Sequence, residues 1–415
     1  MDTSFLPSFP LALSYPLLFG ALLVAGTVGG EMARVARLPR IVGYVLVGFL
    51  VGPLLAALGL QPLVERARVF VDLALGLALF DLGRRMDLQW MKREWTLAAA
   101  GLAESLLAFA AVFSTLVAFG WPAVESGIVG AICIATSPVA VMLIVQDVRA
   151  EGQVTERALN LVALNSLLAS ILTTILLATA HLESKVAVET AILHPAYLFL
   201  GSVILGGAVA SGARIVARAV EKTTELHFTL IAGMVVGAVG LAAILKLSVI
   251  LTLLAFGLFT RNDVRNYDLL NVNLAPASRL LYIVLFVITG ASLPPEMLVA
   301  GGAAGLALAG ARFAGKFAGA FGFSLAGGLR ARQAVGLACC LAPASTLPLM
   351  LYFAVAREYQ GFAAQAEAAF FSMLIVMEIL GPIAAQWGLR FAGETEPAAA
   401  ALGRPAVAAE TAVDA

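Results

Sequence analysis

Two apolar stretches decide the fold: AICIATSPVAVMLIV (131–145) and LACCLAPASTLPLML (337–351). Each has hydroxyl residues and proline in the middle of a run apolar enough to lie in a membrane. Proline removes a backbone donor and clashes with the preceding helical turn, so Pro138, Pro343 and Pro348 predict broken helices. A break at membrane depth survives only inside protein or beside a watery cavity. The two stretches therefore predict an enclosed polar site.

The composition is that of a membrane protein. Hydrophobic residues make up 61% and charged residues 13% of the 415 residues, whereas a soluble domain is roughly 45–50% apolar and about 25% charged. Lys and Arg number 26, as do Asp and Glu, so no basic excess indicates nucleic acid. The 3 cysteines lie in apolar runs without metal-ligand spacing. No cofactor, metal centre or catalytic nucleophile is predicted, and therefore no enzyme.

The apolar runs predict an all-α polytopic protein that spans the lipid bilayer about 13 times, since a span needs about 20 residues. The last residues, 393–415, are Ala-rich and aperiodic and predict a disordered tail after a transmembrane domain over residues 1–392. The predicted spans are roughly 14–36, 40–58, 68–88, 95–119, 123–147, 155–181, 195–219, 226–245, 248–262, 275–293, 297–325, 331–356 and 364–390.

The basic residues orient these spans. Most of the 26 Lys and Arg residues lie in the odd-numbered connections and the tail. By the positive-inside rule, the N-terminus is expected outside and the C-terminus in the cytoplasm, with an inner (plasma) membrane location. The N-terminus also lacks the positive region of a cleaved signal peptide, so the first span is read as retained. The basic residues in the even-numbered connections are Arg66, Arg68, Lys185, Lys246 and Arg357.

The broken spans are fifth and twelfth in this order. Spans two to six (about 40–181) and nine to thirteen (about 248–390) then form two five-helix repeats, each with its broken helix fourth. Because five is odd and the two repeats begin on opposite sides, the repeats are inverted. Inverted repeats around broken helices are typical of secondary transporters. The plainer alternative is a pair of kinked packing helices.

Five segments carry a family resemblance. In chain order, they resemble conserved elements of the cation:proton antiporter superfamily, which includes the sodium/hydrogen exchangers, and are closest to its Kef-like cation:proton antiporter-2 branch. The segments are ARLPRIVGYVLVGFLVGP (36–53), LGLALFDLGRRMDL (75–88), ATSPVAV (135–141), LFVITGASL (285–293) and MEILGPIAAQWGLRFAGE (377–394). The resemblance implies a core of crossing broken helices beside a dimerisation domain. It also implies a homodimer and an elevator-like exchange of Na⁺ or K⁺ for protons.

The resemblance also implies a site, from which this chain departs. Relatives carry a mid-membrane carboxylate after an Asn, Asp or Gln, and the matching pair here is Asn165 and Ser166. Ser137 likewise stands where the family's ATDP element has Asp. Serine does not titrate, but Thr136, Ser137, Asn165 and Ser166 still offer neutral oxygens to a hard cation. The sequence thus predicts a polar ion site that lacks the usual proton carrier.

Other acids within spans are candidate substitute proton carriers, because an intramembrane ionisable residue is functional by default. Asp81 precedes Arg84 by one turn, which favours an interfacial ion pair. Glu104 lies nearer the middle of the fourth span, where packing is the favoured interpretation. Glu378 lies just before Gly381 and Pro382 in the last span and is read as structural.

Two basic residues stand in the eleventh span, in ALAGARFAGKFAGAF (307–321). Arg312 and Lys316 are four residues apart and share a helix face. The resemblance implies that one of them faces the carboxylate, which is absent at 166. The basic residue that lacks this partner then faces helix C-terminal dipoles at the second break or binds an anion, and the plainer alternative for either residue is a snorkelling charge. The small neighbours that allow close helix approach are Gly310, Ala311, Ala314, Gly315, Ala318 and Gly319.

Three functions remain open at this point. The favoured one is a Na⁺ or K⁺:proton antiporter in which Lys316 or a displaced acid carries the proton. The second is a transporter on the same scaffold with altered coupling, either a uniporter or an anion carrier. The third is a transport-inactive scaffold or sensor, which would have no need of broken helices.

Overall fold

The structure, a computed structural model, describes residues 15–57, 68–86, 88–183, 188–221, 223–262 and 275–395. The regular elements in these ranges are all α-helices. They are α1 (Tyr15–Val35), α2 (Arg40–Ala57), α3 (Arg68–Arg85), α4 (Leu88–Arg93), α5 (Trp95–Ala118), α6 (Ala123–Ile134), α7 (Pro138–Asp147), α8 (Gln153–Glu183), α9 (Val188–Ala219), α10 (Thr224–Ile244), α11 (Val249–Asn262), α12 (Ala275–Ala291), α13 (Glu296–Ala326), α14 (Ala331–Cys340), α15 (Thr346–Glu358) and α16 (Gln360–Ala392).

The all-α prediction is confirmed, and each predicted span coincides with a helix or with a broken pair of helices. Within the described ranges, 9 stretches are long and apolar enough to cross a membrane by length and composition alone. The remaining predicted spans miss that standard for local reasons. Helix α3 carries Asp81, Arg84 and Arg85, α11 and α12 are short, and α14 and α15 are halves of one crossing.

The helices sort into two groups by their mutual packing. The first group contains α5–α8 and α13–α16, with α13 packed along α5 and α16. The second contains α1–α3 and α9–α12, with α11 packed on α3 and α12 on α2. Contacts between the groups are sparser and run mainly from α7, α8 and α16 of the first group to α2, α3 and α9 of the second. Both pairs of broken helices therefore lie in the first group.

The outer surface of the bundle is apolar. Leu50, Ile244 and Val299 are 74%, 78% and 84% exposed. Such a surface is unfavourable in water and matches the interior of a bilayer, where apolar side chains carry no hydration penalty. The protein is therefore a multi-pass membrane protein.

The start of the predicted tail differs from expectation. Helix α16 ends at Ala392 and is followed by Gly393, whose left-handed backbone (φ 82°) is the usual helix terminator. The next residue, Glu394, is buried, and its carboxylate accepts hydrogen bonds from the backbone N–H groups of Val154 and Thr155, both at 2.8 Å. A carboxylate there caps the first turn of α8 and its positive dipole end. Residues 396–415 of the predicted tail lie outside the described residues.

Candidate ion-binding site

The two helix breaks meet face to face inside the first group. Helix α6 ends in extended backbone at Ala135, and α7 starts after Ser137. Across the gap, the Ser137 backbone N–H donates to the Pro343 carbonyl at 3.0 Å. The Thr136 hydroxyl donates to the Leu341 carbonyl at 3.2 Å. The non-helical segments thus satisfy part of each other's hydrogen bonding, as buried backbone at membrane depth requires.

The prolines occupy different positions at these breaks. Pro138 is the first residue of α7, where its missing N–H and fixed φ are tolerated. Pro343 lies between α14 and α15. Pro348 lies in the first turn of α15 rather than in the gap. Pro138 and Pro343 therefore mark the crossing itself, and Pro348 follows it.

The Arg312 side chain joins both breaks. It extends from α13, is fully buried, and donates to four backbone carbonyls. They belong to Cys133, Ala135, Ala342 and Pro343, at 3.0, 2.8, 2.6 and 3.4 Å. These carbonyls terminate α6 and α14, so the guanidinium lies between two negative dipole ends. Arg312 therefore contacts helix C-termini, which was one of the alternatives for a basic residue without a carboxylate partner.

Lys316, one turn further along α13, has a carboxylate partner. Its Nζ lies 2.7 Å from Oε2 of Glu104 on α5, and the two side chains are 1% and 0% exposed. A buried ion pair repays its desolvation only when its geometry is good and its remaining polar atoms are bonded. Lys316 is therefore not left unpaired by the serine at position 166, because Glu104 provides the charge from another helix.

Asn165 connects this pair to the first break. Its Nδ2 donates to Oε1 of Glu104 and to the Thr136 hydroxyl, both at 2.9 Å. Its Oδ1 accepts from the Thr136 backbone N–H at 3.3 Å. Glu104 is thereby bonded through both carboxylate oxygens. Glu104, Asn165 and Thr136 form one buried hydrogen-bonded cluster, in which the Glu104 carboxylate and the Thr136 hydroxyl supply oxygens of the kind that hard cations prefer as ligands.

Two glycines bring α13 close enough for the ion pair to form. A Cβ added at Gly315 would collide with the backbone at Leu107 and Ala108 of α5, and one added at Gly319 would collide with the backbone of Glu104. Small residues let membrane helices approach closely. By contrast, Gly310 faces open space. Of the small residues predicted to allow close approach, Gly315 and Gly319 thus lie on the face that contacts α5, and Gly310 does not.

The two serines expected at the site form hydrogen bonds with the backbone of their own helices. The Ser137 hydroxyl caps α7 by accepting from the Ala140 N–H at 3.3 Å. The Ser166 hydroxyl donates to the Val162 carbonyl at 2.6 Å. Both side chains are buried beside the crossing, but neither bonds to Glu104 or Lys316.

The other candidate acids lie elsewhere. Asp81 accepts from Arg84 at 3.0 Å and Arg85 at 3.4 Å at the end of α3, as an interfacial ion pair would. Glu378 on α16 is 2% exposed and close to the Ser345 hydroxyl at the second break. Neither of its carboxylate oxygens has a hydrogen bond of ordinary geometry within the described chain. Glu378 is thus near the crossing but apart from the Glu104–Lys316 pair.

The sequence interpretation included Glu104 only as a candidate and favoured packing for it. The missed feature is the pairing of Glu104 with Lys316 across 212 positions of chain. The available signal was local: a buried-looking acid on one span, and a lysine between glycines on another. Nothing in the sequence alone relates the rotation of α5 to that of α13.

A bundle of membrane-length helices with two crossing broken helices beside a buried ion pair has the architecture of a secondary transporter. The chain belongs to the sodium/hydrogen exchanger family, because the family model described as "Sodium/hydrogen exchanger, transmembrane" matches residues 19–389. No curated protein sequence matches the chain at a significant level.

Solved structures share the fold. One is the sodium proton antiporter MjNhaP1 from Methanocaldococcus jannaschii at pH 8, with 18% identity, a TM-score of 0.66, and coverage of 91% of this chain and 97% of that one. An electron-microscopy structure of the same antiporter matches with 18% identity and a TM-score of 0.68, covering 94% and 98% of the two chains. At this identity, the likeness establishes the antiporter fold of this chain.

Proposed function

We propose that this protein is a secondary active antiporter that exchanges a monovalent cation, Na⁺ or K⁺, for a proton. The observation that supports this most directly is the buried Glu104–Lys316 pair beside the crossing of the broken helices. Family membership supports the same class of activity. In this proposal, Glu104 takes the place of the carboxylate that the resemblance expects at position 166.

The exchange follows from the charge that the pair can hold. In the absence of a metal cation, protonated Lys316 neutralises the Glu104 carboxylate. An incoming Na⁺ or K⁺ binds the Glu104 carboxylate and the Thr136 hydroxyl oxygen, the Asn165 amide turns its oxygen toward the ion, and Lys316 releases one proton. Total charge is conserved, because one positive charge replaces another. Binding of the cation and of the proton is thus mutually exclusive, which is what antiport requires.

Arg312 has a separate role in this proposal. Its bonds to carbonyls of both breaks hold α6 and α14 together and neutralise their dipole ends. Because these bonds use its donors, and because Lys316 is bonded to Glu104, neither cation is left to attract an anion. This argues against the anion-carrier alternative. The uniporter and the transport-inactive scaffold remain distinguishable by experiment.

The wider features of the proposal rest on the resemblance and on the two-group packing. The first helix group would move as an elevator against the second, and the second would form the homodimer contact. The positive-inside distribution supports an N-terminus outside and a cytoplasmic C-terminus in the inner (plasma) membrane. Assignment to the Kef-like branch, the repeat limits 40–181 and 248–390, and a proton-carrying role for Glu378 stay predictions.

The test is cation-driven proton movement in proteoliposomes that contain a pH-sensitive dye. Addition of Na⁺ or K⁺ to the unaltered protein is expected to change the internal pH. Glu104→Gln, which keeps the shape but removes the charge, is expected to abolish this change. Asp81→Asn is the matched control, because Asp81 pairs with arginines at a helix end, and it should retain exchange.

Full exchange by Glu104→Gln would mean that the pair is structural. Absence of exchange in the unaltered protein, with exchange gained in Ser166→Asp, would instead establish an antiporter scaffold whose proton coupling has been removed.

A further inference from the structure

A polar cavity lies away from the ion pair, at the end of the bundle where α1, α7 and α16 terminate. Its volume is about 510 Å³. Residues 34–40 and Arg279 of the second helix group form one side, and residues 144–149 with the end of α16 form the other. The cavity thus lies at the junction of the two groups, on the side that the charge distribution predicts to be cytoplasmic.

The lining is strongly basic. Among the described residues that line the cavity, the acidic one is Asp147. Its carboxylate forms ion pairs with Arg40 at 3.2 Å and with Arg279 at 2.6 Å. Glu31, just outside, pairs with Arg34 and Arg40. In the described part of the cavity lining, guanidinium groups therefore outnumber carboxylates. The lining arginines are Arg34, Arg37, Arg40, Arg149, Arg279 and Arg390.

Three polar atoms of the lining are buried without a hydrogen bond within the described chain: Nε of Arg40, Oε1 of Gln386 and Oγ1 of Thr395. Gln386 and Thr395 are only 7% and 2% exposed. Buried polar groups in folded proteins nearly all have partners. Three such atoms around one cavity point to a polar occupant.

Two of the arginines stand in strained backbone. Arg37 and Arg149 have φ values of 64° and 46°, in the left-handed region that favours glycine. They follow the ends of α1 and α7, and the next residues, Leu38 and Ala150, bond back to the helix, which is the usual glycine terminator geometry. Arginine at these two positions carries backbone strain that glycine would avoid, and it places a positive charge at the cavity.

We propose that this cavity binds a phosphate-bearing anion. A phosphate group accepts bidentate, charge-assisted hydrogen bonds from several guanidiniums at once. When singly protonated, it also offers a donor to an unpartnered acceptor such as Gln386. The group is carried either by a soluble phosphate compound or by a lipid headgroup, since the cavity lies at the predicted membrane surface. A ligand held by arginines of both groups fixes their relative position.

The experiment measures binding in the absence of transport, so its result is independent of the proposed antiport. Pyrophosphate is titrated calorimetrically into the full chain in detergent. In a parallel arm, thermal unfolding is compared in phosphatidylcholine nanodiscs with and without phosphatidic acid. The test variant is Arg37→Gln/Arg390→Gln, which removes two exposed lining charges. The matched control is Arg93→Gln, an exposed arginine away from the cavity.

Pyrophosphate is expected to bind the unaltered chain and the control alike, and the double variant at least tenfold more weakly. If phosphatidic acid alone stabilises the unaltered chain and the control but not the double variant, the source is a lipid headgroup and the proposal stands. Equal responses from the double variant and the unaltered chain, or no response to either ligand, would overturn it.

Discussion

Glu104 and Lys316 form a buried ion pair beside the crossing, and Glu104 stands on a different helix from the carboxylate that the family resemblance expects. The position that the family resemblance assigns to the carboxylate holds Ser166, whose hydroxyl bonds to its own helix. The charge instead comes from α5, where Glu104 is bonded to Lys316 and Asn165. In the proposed exchange, Glu104 is the carboxylate that binds the cation, although it lies on α5 and not at position 166.

The strength of this pair is testable at the residue scale. Removing one partner of a buried ion pair leaves an uncompensated charge and costs about 3–5 kcal/mol, whereas replacing both with neutral groups costs far less. Lys316→Met is expected to lower the free energy of unfolding strongly, and Glu104→Gln/Lys316→Met is expected to recover most of that loss. Denaturant unfolding in detergent measures both. Strictly additive effects of the two substitutions would contradict the coupling.

At the scale of the elements, the approach of α13 to α5 decides whether the pair forms. Gly315 and Gly319 meet backbone atoms of α5, so these helices are separated by little more than their main chains. The same helix carries Arg312 to the breaks. A single face of α13 thus supplies both the clamp on the crossing and the partner of Glu104.

Gly319→Ala is expected to push the two helices apart, because its Cβ has no room beside the Glu104 backbone. Overpacking of this kind costs about 1–3 kcal/mol, and the exchange rate should fall together with thermal stability. Gly310→Ala provides the control, since nothing lies within 4 Å of a Cβ there, and a change within about 0.5 kcal/mol is expected. Equal effects at the two positions would show that the close approach is unimportant.

For the whole molecule, the relevant feature is the sparse junction between the two helix groups. Asp147 of α7 bonds to Arg40 and Arg279 of the second group, and these ion pairs close one end of the junction. If one group moves against the other during transport, these contacts must break and reform. These partly exposed ion pairs cost less to break than the fully buried Glu104–Lys316 pair.

A covalent link across this junction should therefore stop transport. Arg40→Cys/Asp147→Cys, joined by a short bifunctional thiol reagent, is expected to abolish cation-driven proton movement, and reduction of a cleavable linker should restore it. Glu94→Cys/Arg157→Cys is the matched control, because that ion pair (2.9 Å) lies within the first group. Undiminished transport by the linked cross-group variant would rule out relative motion at this junction.

Much of this architecture follows from the sequence alone. Apolar length predicted most of the helices, because a helix in lipid must satisfy its own backbone and needs a fixed number of residues to cross. Proline together with hydroxyl residues predicted both breaks, because Pro138 and Pro343 lack a backbone N–H and clash with the preceding turn. These are properties of single segments, and one sequence is enough to recognise them.

Only the tertiary structure decided which polar groups meet. Glu104 with Lys316, Arg312 with the carbonyls of both breaks, and Glu394 with the start of α8 are contacts between segments far apart in the chain. Each depends on the rotation and separation of two helices, which arise from packing across the whole bundle and leave no periodic signal in either segment. The sequence therefore determined that a polar site exists at the crossing, and packing determined which carboxylate occupies it.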